Sequence, residues 1–240
     1  MTVTDKTKRA GRRAKNPGDG QAASVTHDAI IAHALQIAQH EPVDAITIMR
    51  LSRELGVTPA LIHYFTGGRD QLLSAVINRA MAQSESHPAV SDSWLADLEA
   101  VMRKAFAFQM KWKGITTYQQ SNNKYRLFQD PKPGEADLGL VFFNRVGTIL
   151  QSSGMTAEHA AMAYHLLMLF ILSVAVSHIN KQEPAAHEEF LNARLGQLDG
   201  KAHPGAAFLL GAFASVSTAD TFEVGLQALL ATIASWAPPT

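Results

Sequence analysis

Residues 47–73 read TIMRLSRELGVTPALIHYFTGGRDQLL: a short helix, a Gly-led turn, a second short helix and the start of a third within 27 positions. That order in so little chain is the pattern of a helix-turn-helix. Thr47 is placed to cap the first helix by accepting from a backbone N–H two or three residues on, and Ile48, Leu51 and Leu55 then recur at helical spacing on one face. Gly56 follows the last periodic residue, where a helix end favours a positive φ. Thr58 is the N-cap expected for the second helix, and Pro59 falls at its first position, where a missing N–H costs nothing.

The second helix has Val57 and Ile62 as its apolar anchors, which leaves Pro59, Ala60, Leu61, His63 and Tyr64 to face outward. After Gly67 and Gly68, a helix opening near Asp70 and running over 70–83 carries Leu72, Leu73, Val76, Ile77 and Ala80 as one stripe, with Arg69 at its N-terminal boundary. Upstream, residues 26–40 predict a further helix with Ile30, Ala34, Leu35, Ile37 and Ala38 inward. An αα-hairpin of an unrelated helical protein uses the same turn chemistry. Three helices, the turn and the Arg-Asp pair after it agree together only on the first reading.

Over about residues 24–85 the chain resembles the N-terminal domain of TetR/AcrR-type (tetracycline-repressor-like) transcriptional regulators. Thr47, Leu51, Leu55-Gly56-Val57, Thr58, Tyr64, Arg69-Asp70 and Leu72-Leu73 match in order and spacing. The chain departs at Ser52, where Ala is usual, at His63, where Tyr is common, and at Thr66, where Phe packs. The resemblance implies that Thr47 and Thr58 approach phosphates, that Arg50 and Arg69 neutralise them, and that Pro59, Leu61, His63 and Tyr64 meet the major groove. Pro59 or Leu61 would touch a thymine methyl and His63 would donate to a base or phosphate. Because His63 stands at a contact position, the family's operator sequences do not transfer.

The formal net charge is zero, which suits a DNA reader only once it is resolved along the chain. Residues 1–85 hold ten Lys/Arg against eight Asp/Glu, and Lys6, Lys8, Arg9, Arg12, Arg13 and Lys15 lie in the first fifteen positions among polar residues. A segment so poor in apolar side chains does not fold alone. Residues 1–23 therefore read either as a flexible basic arm for phosphates or a minor groove, or as a solubilising tail. No amphipathic face or apolar run accompanies these charges, which disfavours a presequence or signal peptide. The chain has no cysteine, so disulfides and thiolate chemistry are excluded, and a reducing cytosol fits.

Beyond a polar break at 84–88 the pattern is helical throughout, and the whole chain is expected to be all-α. Residues 90–236 form the second, larger domain, with helices near 93–112, 115–123, 136–153, 156–182, 186–197, 204–215 and 219–236. Residues 161–179 approach the length of a membrane span, yet they contain Tyr164, His165, Ser173, Ser177 and His178 and lack flanking Lys/Arg, so a helix buried on nearly every face inside protein is expected. The resemblance implies that the 156–182 and 219–236 helices form a four-helix bundle with their copies in a homodimer. Two recognition helices would then read half-sites of a palindromic double-stranded operator roughly 34–36 Å apart.

Phe106, Met110, Trp112, Tyr125, Phe142, Tyr164, His165 and Met168 are the candidates for an apolar cavity that holds a small hydrophobic or aromatic effector, with Tyr125, Asn144, Arg145 or His165 adding polar contacts. Ordinary core packing accounts for each aromatic singly just as well. In the resembling family such a ligand releases DNA, here by a swing of the 70–83 helix. No nucleophile elbow, zincin motif or phosphate loop occurs, and the histidines lack ligand spacing; His159 and His165 do not share a helix face, and Pro184 lies between Glu183 and His187. Neither catalytic residues, cofactor nor metal is expected. The rival reading is an all-α ligand-binding or adaptor protein that binds no DNA.

Overall fold

The computed structural model describes residues 25–84, 91–121 and 128–238, and all regular structure among them is helical. The order is α1 (His27–His40), α2 (Ile48–Glu54), α3 (Pro59–Thr66), α4 (Arg69–Ala82), α5 (Trp94–Lys111), α6 (Lys113–Ser121), α7 (Leu138–Ser152), α8 (Ala157–Ile179), α9 (Glu188–Gly196), α10 (Pro204–Phe213) and α11 (Thr218–Ala234), with single 3-10 turns at Val43–Ala45 and Pro184–His187. The basic arm and Tyr125 lie outside the described residues.

Helix starts follow from local chemistry. Thr26, Thr47, Thr58, Ser93, Asp137, Thr156 and Ser217 each accept from a backbone N–H of the first turn they precede. Each such cap stabilises its helix by about 1 kcal/mol. The turn between α2 and α3 is closed by Gly56 at φ 66°, which lets Val57 N–H donate to the Ser52 carbonyl at 2.9 Å. The sequence expectation that these residues build the turn therefore holds in detail.

Two hydrophobic cores result. In the first, Ile30, Ile31, Ala34 and Leu35 of α1 meet Leu51, Ile62 and the Leu72, Leu73, Val76 and Ile77 stripe of α4. Trp112, Ile115 and Tyr118 belong to this same core although they lie far downstream. The second core joins α5, α7, α8 and α11 through Leu98, Met102, Val146, Leu150, Leu167, Ile171, Phe222 and Leu226.

Two joints connect the cores. At the first, α6 runs so close to the end of α1 that a Cβ on Gly114 would lie 1.8 Å from the Glu41 carbonyl oxygen and 2.7 Å from that of Ala38. At the second, the buried side chains of Ser74 and Asn78, one turn apart on α4, hold the segment that leads into α7. Asn78 Nδ2 donates to the Ala136 carbonyl at 3.0 Å and Leu138 N–H donates to Asn78 Oδ1 at 2.9 Å. Ser74 Oγ accepts from Asp130 N–H and donates to Gln129 Oε1. These polar groups satisfy each other where an unpaired one would cost about 1–3 kcal/mol.

The expectation for α8 needs correction. One face is buried through Ala163, Leu167, Ile171 and Val174, but Met162, His165, Leu169 and Ser173 recur at helical spacing on an exposed face. On α11 the stripe Phe222, Leu226, Leu230 and Ile233 is buried, whereas Val224, Ala228 and Ala231 are exposed. Each helix is thus covered on one side, and its exposed side mixes apolar residues such as Met162, Leu169 and Val224 with polar ones such as His165, Ser173 and Gln227.

Candidate DNA interface and ligand core

The α2-turn-α3 unit presents the groove-facing set as the spacing predicts. Ile62 and Thr66 point into the core, whereas Pro59, Ala60, His63 and Tyr64 are exposed and Leu61 is half-buried. Tyr64 is 81% exposed and meets the Phe65 ring edge-on at 5.5 Å. The helix is defined at both ends: Thr58 Oγ1 accepts from Leu61 N–H at its start and Gly67, at φ 72°, closes its end. Both departures at core positions are accommodated by internal hydrogen bonds: Thr66 Oγ1 donates to the Ile62 carbonyl at 2.9 Å, and Ser52 Oγ donates to that of Met49 at 3.0 Å. Phe65 supplies the aromatic packing against this core.

Arg50 does not fit the phosphate role expected of it. Its guanidinium meets Glu41 in a bidentate pair at 2.6 and 2.8 Å and Glu54 at 2.7 Å, and Glu54 is also bonded to His33. Hydrogen bonds to Glu41 and then Glu54 raise the Arg50 pKa further, and those from Arg50 hold both carboxyls below the usual range. Arg50 therefore ties α2 to the end of α1, and the i, i+4 placement of Glu54 that captures it was readable in the sequence. Arg69 differs: one Nη2 contact with Asp44 at 2.8 Å joins two side chains that are 41% and 57% exposed. An exposed pair of this kind contributes about 0–1 kcal/mol, so a phosphate can displace the carboxylate. Arg53, passed over in the sequence, shares the exposed side of α2 with Met49 and makes no ion pair among the described residues.

The candidate effector residues separate. Phe106, Phe142, Tyr164 and Met168 gather at the second core. Phe106 stacks on Phe222 with centroids 3.9 Å apart, and Tyr164 meets Phe143 edge-on at 4.9 Å. Met110 is half-buried and belongs to neither core. Trp112 must be reassigned: it is wholly buried in the first core, where its Nε1–H donates to Ser84 Oγ at 3.4 Å. His165 also departs from expectation, since it lies on the exposed face of α8. Phe222 was missed, although its i, i+4 relation to Leu226 and Leu230 marks it as inward. A separate open crevice of about 310 Å³ lies between α1, α4 and residues 135–138, lined by Ile31, Ala75, Asn78, Arg79 and Leu138 among others.

Known proteins supply a comparison for this arrangement. No family profile matches the chain. Among curated proteins it is similar to the HTH-type transcriptional repressor DrrR1 of Streptomyces coeruleorubidus, 23% identical over 92% of this chain and 80% of that one. Among solved structures, apo ActR from Streptomyces coelicolor superposes with a TM-score of 0.72 at 24% identity over 90% of this chain and 97% of that one. ActR in complex with actinorhodin gives a TM-score of 0.73 at 24% identity, over 90% and 100%. SCO7222, a TetR from Streptomyces coelicolor, gives 0.65 at 20% identity, over 89% and 100%. With its exposed α3, Gly-closed turn and larger helical unit, the chain has the fold of the TetR-family transcriptional regulators.

Proposed function

We propose that this protein is a homodimeric, cytoplasmic, sequence-specific DNA-binding regulator, a repressor that leaves a palindromic operator when a small, largely apolar ligand binds the core of residues 90–236. The observation that carries this reading is α3: a capped helix whose buried side grips the first core while Pro59, His63 and Tyr64 stand in solvent. Its likeness to DrrR1, named a repressor, and to ActR, whose structure with actinorhodin is known, supports both halves of the reading. Pro59 and Leu61 would meet thymine methyls, His63 and Tyr64 would meet bases or backbone, and Thr47, Thr58 and Arg69 would hold phosphates. Arg53 joins this set in place of Arg50.

The exposed faces of α8 and α11 are the surfaces for the second copy, since two recognition helices are needed to read half-sites one helical turn apart. Ligand binding among Phe106, Phe142, Tyr164 and Met168 would act through the two joints. α4 is held to the segment entering α7 by Ser74 and Asn78, so a shift of α7 moves α4 and with it the recognition helix.

The two arginines provide the test. Each phosphate contact contributes roughly 0.9 to the slope of log affinity against log salt. Arg69→Ala is expected to weaken binding to all sequences and to reduce that slope by about 1. Arg50→Ala is expected to leave the slope unchanged and to lower the unfolding temperature instead. Equal slopes for wild type and Arg69→Ala would remove Arg69 from the interface.

A further inference from the structure

Residues 184–213 form an arm that its own chain does not cover. None of the residues of the 3-10 turn Pro184–His187, of α9 or of α10 is buried. α10 reads PGAAFLLGAF, without one charged side chain, and Phe208 is 82% exposed, with Leu209, Phe213 and Phe190 of α9 also exposed. Helices of 9 and 10 residues are too short to persist alone in water. A patch of large apolar side chains on such a hairpin marks a surface that is covered in the working protein.

The base of the arm is fastened. Glu183 bridges the end of α8 to the start of α11: its Oε1 bonds His178 Nδ1 at 3.0 Å, and its Oε2 accepts from Thr218 N–H at 2.8 Å and from the Thr218 hydroxyl. Ala185 N–H donates to the Val216 carbonyl at 3.1 Å and closes the neck. The arm therefore leaves the body where α8 and α11 meet, and it is continuous with the two helices whose outer faces also lack cover.

We propose that α10 is an interface element exchanged between two copies of this chain, packing its uncharged face onto the partner beside the α8 and α11 contact. The inference rests on the dimer of the proposed function. Area selects this occupant. The large exposed apolar side chains of α8 and α11 are Met162, Leu169 and Val224. Three such side chains supply on the order of 300 Å² per protomer, well short of the about 800 Å² per partner of a stable interface. Phe190, Phe208 and Phe213 are 65%, 82% and 48% exposed, so each still has roughly half to four-fifths of its about 150–250 Å² to bury, and with Leu209 they bring the total close to that range. In a two-fold dimer both arms are covered at once, which leaves no open patch to recruit a third copy.

The absence of cysteine makes the test clean. Phe208→Cys in the full chain takes a benzophenone maleimide at a single site, and Met49→Cys serves as a control on the opposite unit. Sedimentation equilibrium is expected to give a dimer, and illumination a covalent dimer for the label at position 208 and none for that at 49. Phe208→Asp with Leu209→Asp is expected to raise the dimer dissociation constant at least tenfold, with a loss of far-ultraviolet circular dichroism no larger than the share of α9 and α10. A chain that sediments as a monomer would overturn the dimer and the arm together. A dimer that does not cross-link through position 208 and keeps its dissociation constant in the double variant would overturn the arm alone. Binding to phosphatidylglycerol–phosphatidylcholine vesicles that the double variant abolishes, with dimerisation unchanged, would assign the face to a membrane and also overturn it.

Discussion

Gly114→Ala is expected to destabilise the protein by about 3 kcal/mol, the upper part of the usual range for overpacking. Alanine is the better helix former, by about 1 kcal/mol, so propensity alone predicts the opposite sign. Geometry decides against propensity here. The added Cβ would sit 1.8 Å from the Glu41 carbonyl oxygen and 2.7 Å from that of Ala38, and both are backbone atoms at the end of α1 that no rotamer change can move. α6 must therefore back away from α1 and draw Trp112, Ile115 and Tyr118 out of the first core. For a chain of this length the unfolding temperature should fall by roughly 6–12 °C. Because the same contact sets how α1 to α4 sit on the rest of the chain, the proposed function predicts that operator affinity falls as well. A thermal scan in which Gly114→Ala matches or exceeds wild type would show that α6 does not make this approach.

The second large effect is expected at the opposite extreme of burial. Tyr64→Ala removes a ring that is 81% exposed, so stability should change by no more than about 0.5 kcal/mol. Operator affinity should nevertheless fall by about 1–3 kcal/mol, roughly five- to 150-fold. His63→Ala, at the neighbouring exposed position, should alter which sequences are preferred rather than lower all affinities equally. The two variants separate fold from function because each side chain faces away from the core that Ile62 and Thr66 hold. Unchanged operator affinity for Tyr64→Ala, measured by anisotropy, would place the DNA contact elsewhere than on α3.

Much of this was legible in the sequence because local chemistry carries it. Thr47, Gly56, Thr58 and Pro59 specify caps and a turn within a few residues of themselves, and the structure forms them there. α7 and α8 likewise begin directly after their caps Asp137 and Thr156, next to the expected starts. What was not legible depends on partners distant along the chain. For Arg50 the i, i+4 partner Glu54 was legible, but the bidentate pair with Glu41, nine positions away across a turn, was not. Trp112 resembles its neighbours Phe106 and Met110 in periodicity, yet the chain kinks after Lys111 and sends the indole into the other core. For α8 the exposed face was not legible, because apolar content alone does not distinguish a face covered by its own chain from one that its own chain leaves open.

Fluorescence-anisotropy titration decides whether the protein is a dimer that reads one DNA sequence. The protein is titrated against DNA from upstream of its own gene and against scrambled DNA of equal length, each at two salt concentrations. A preference for the upstream DNA of about a thousandfold or more is expected, with two chains bound per site. Equal affinity for both DNAs, or no binding to either, would contradict it.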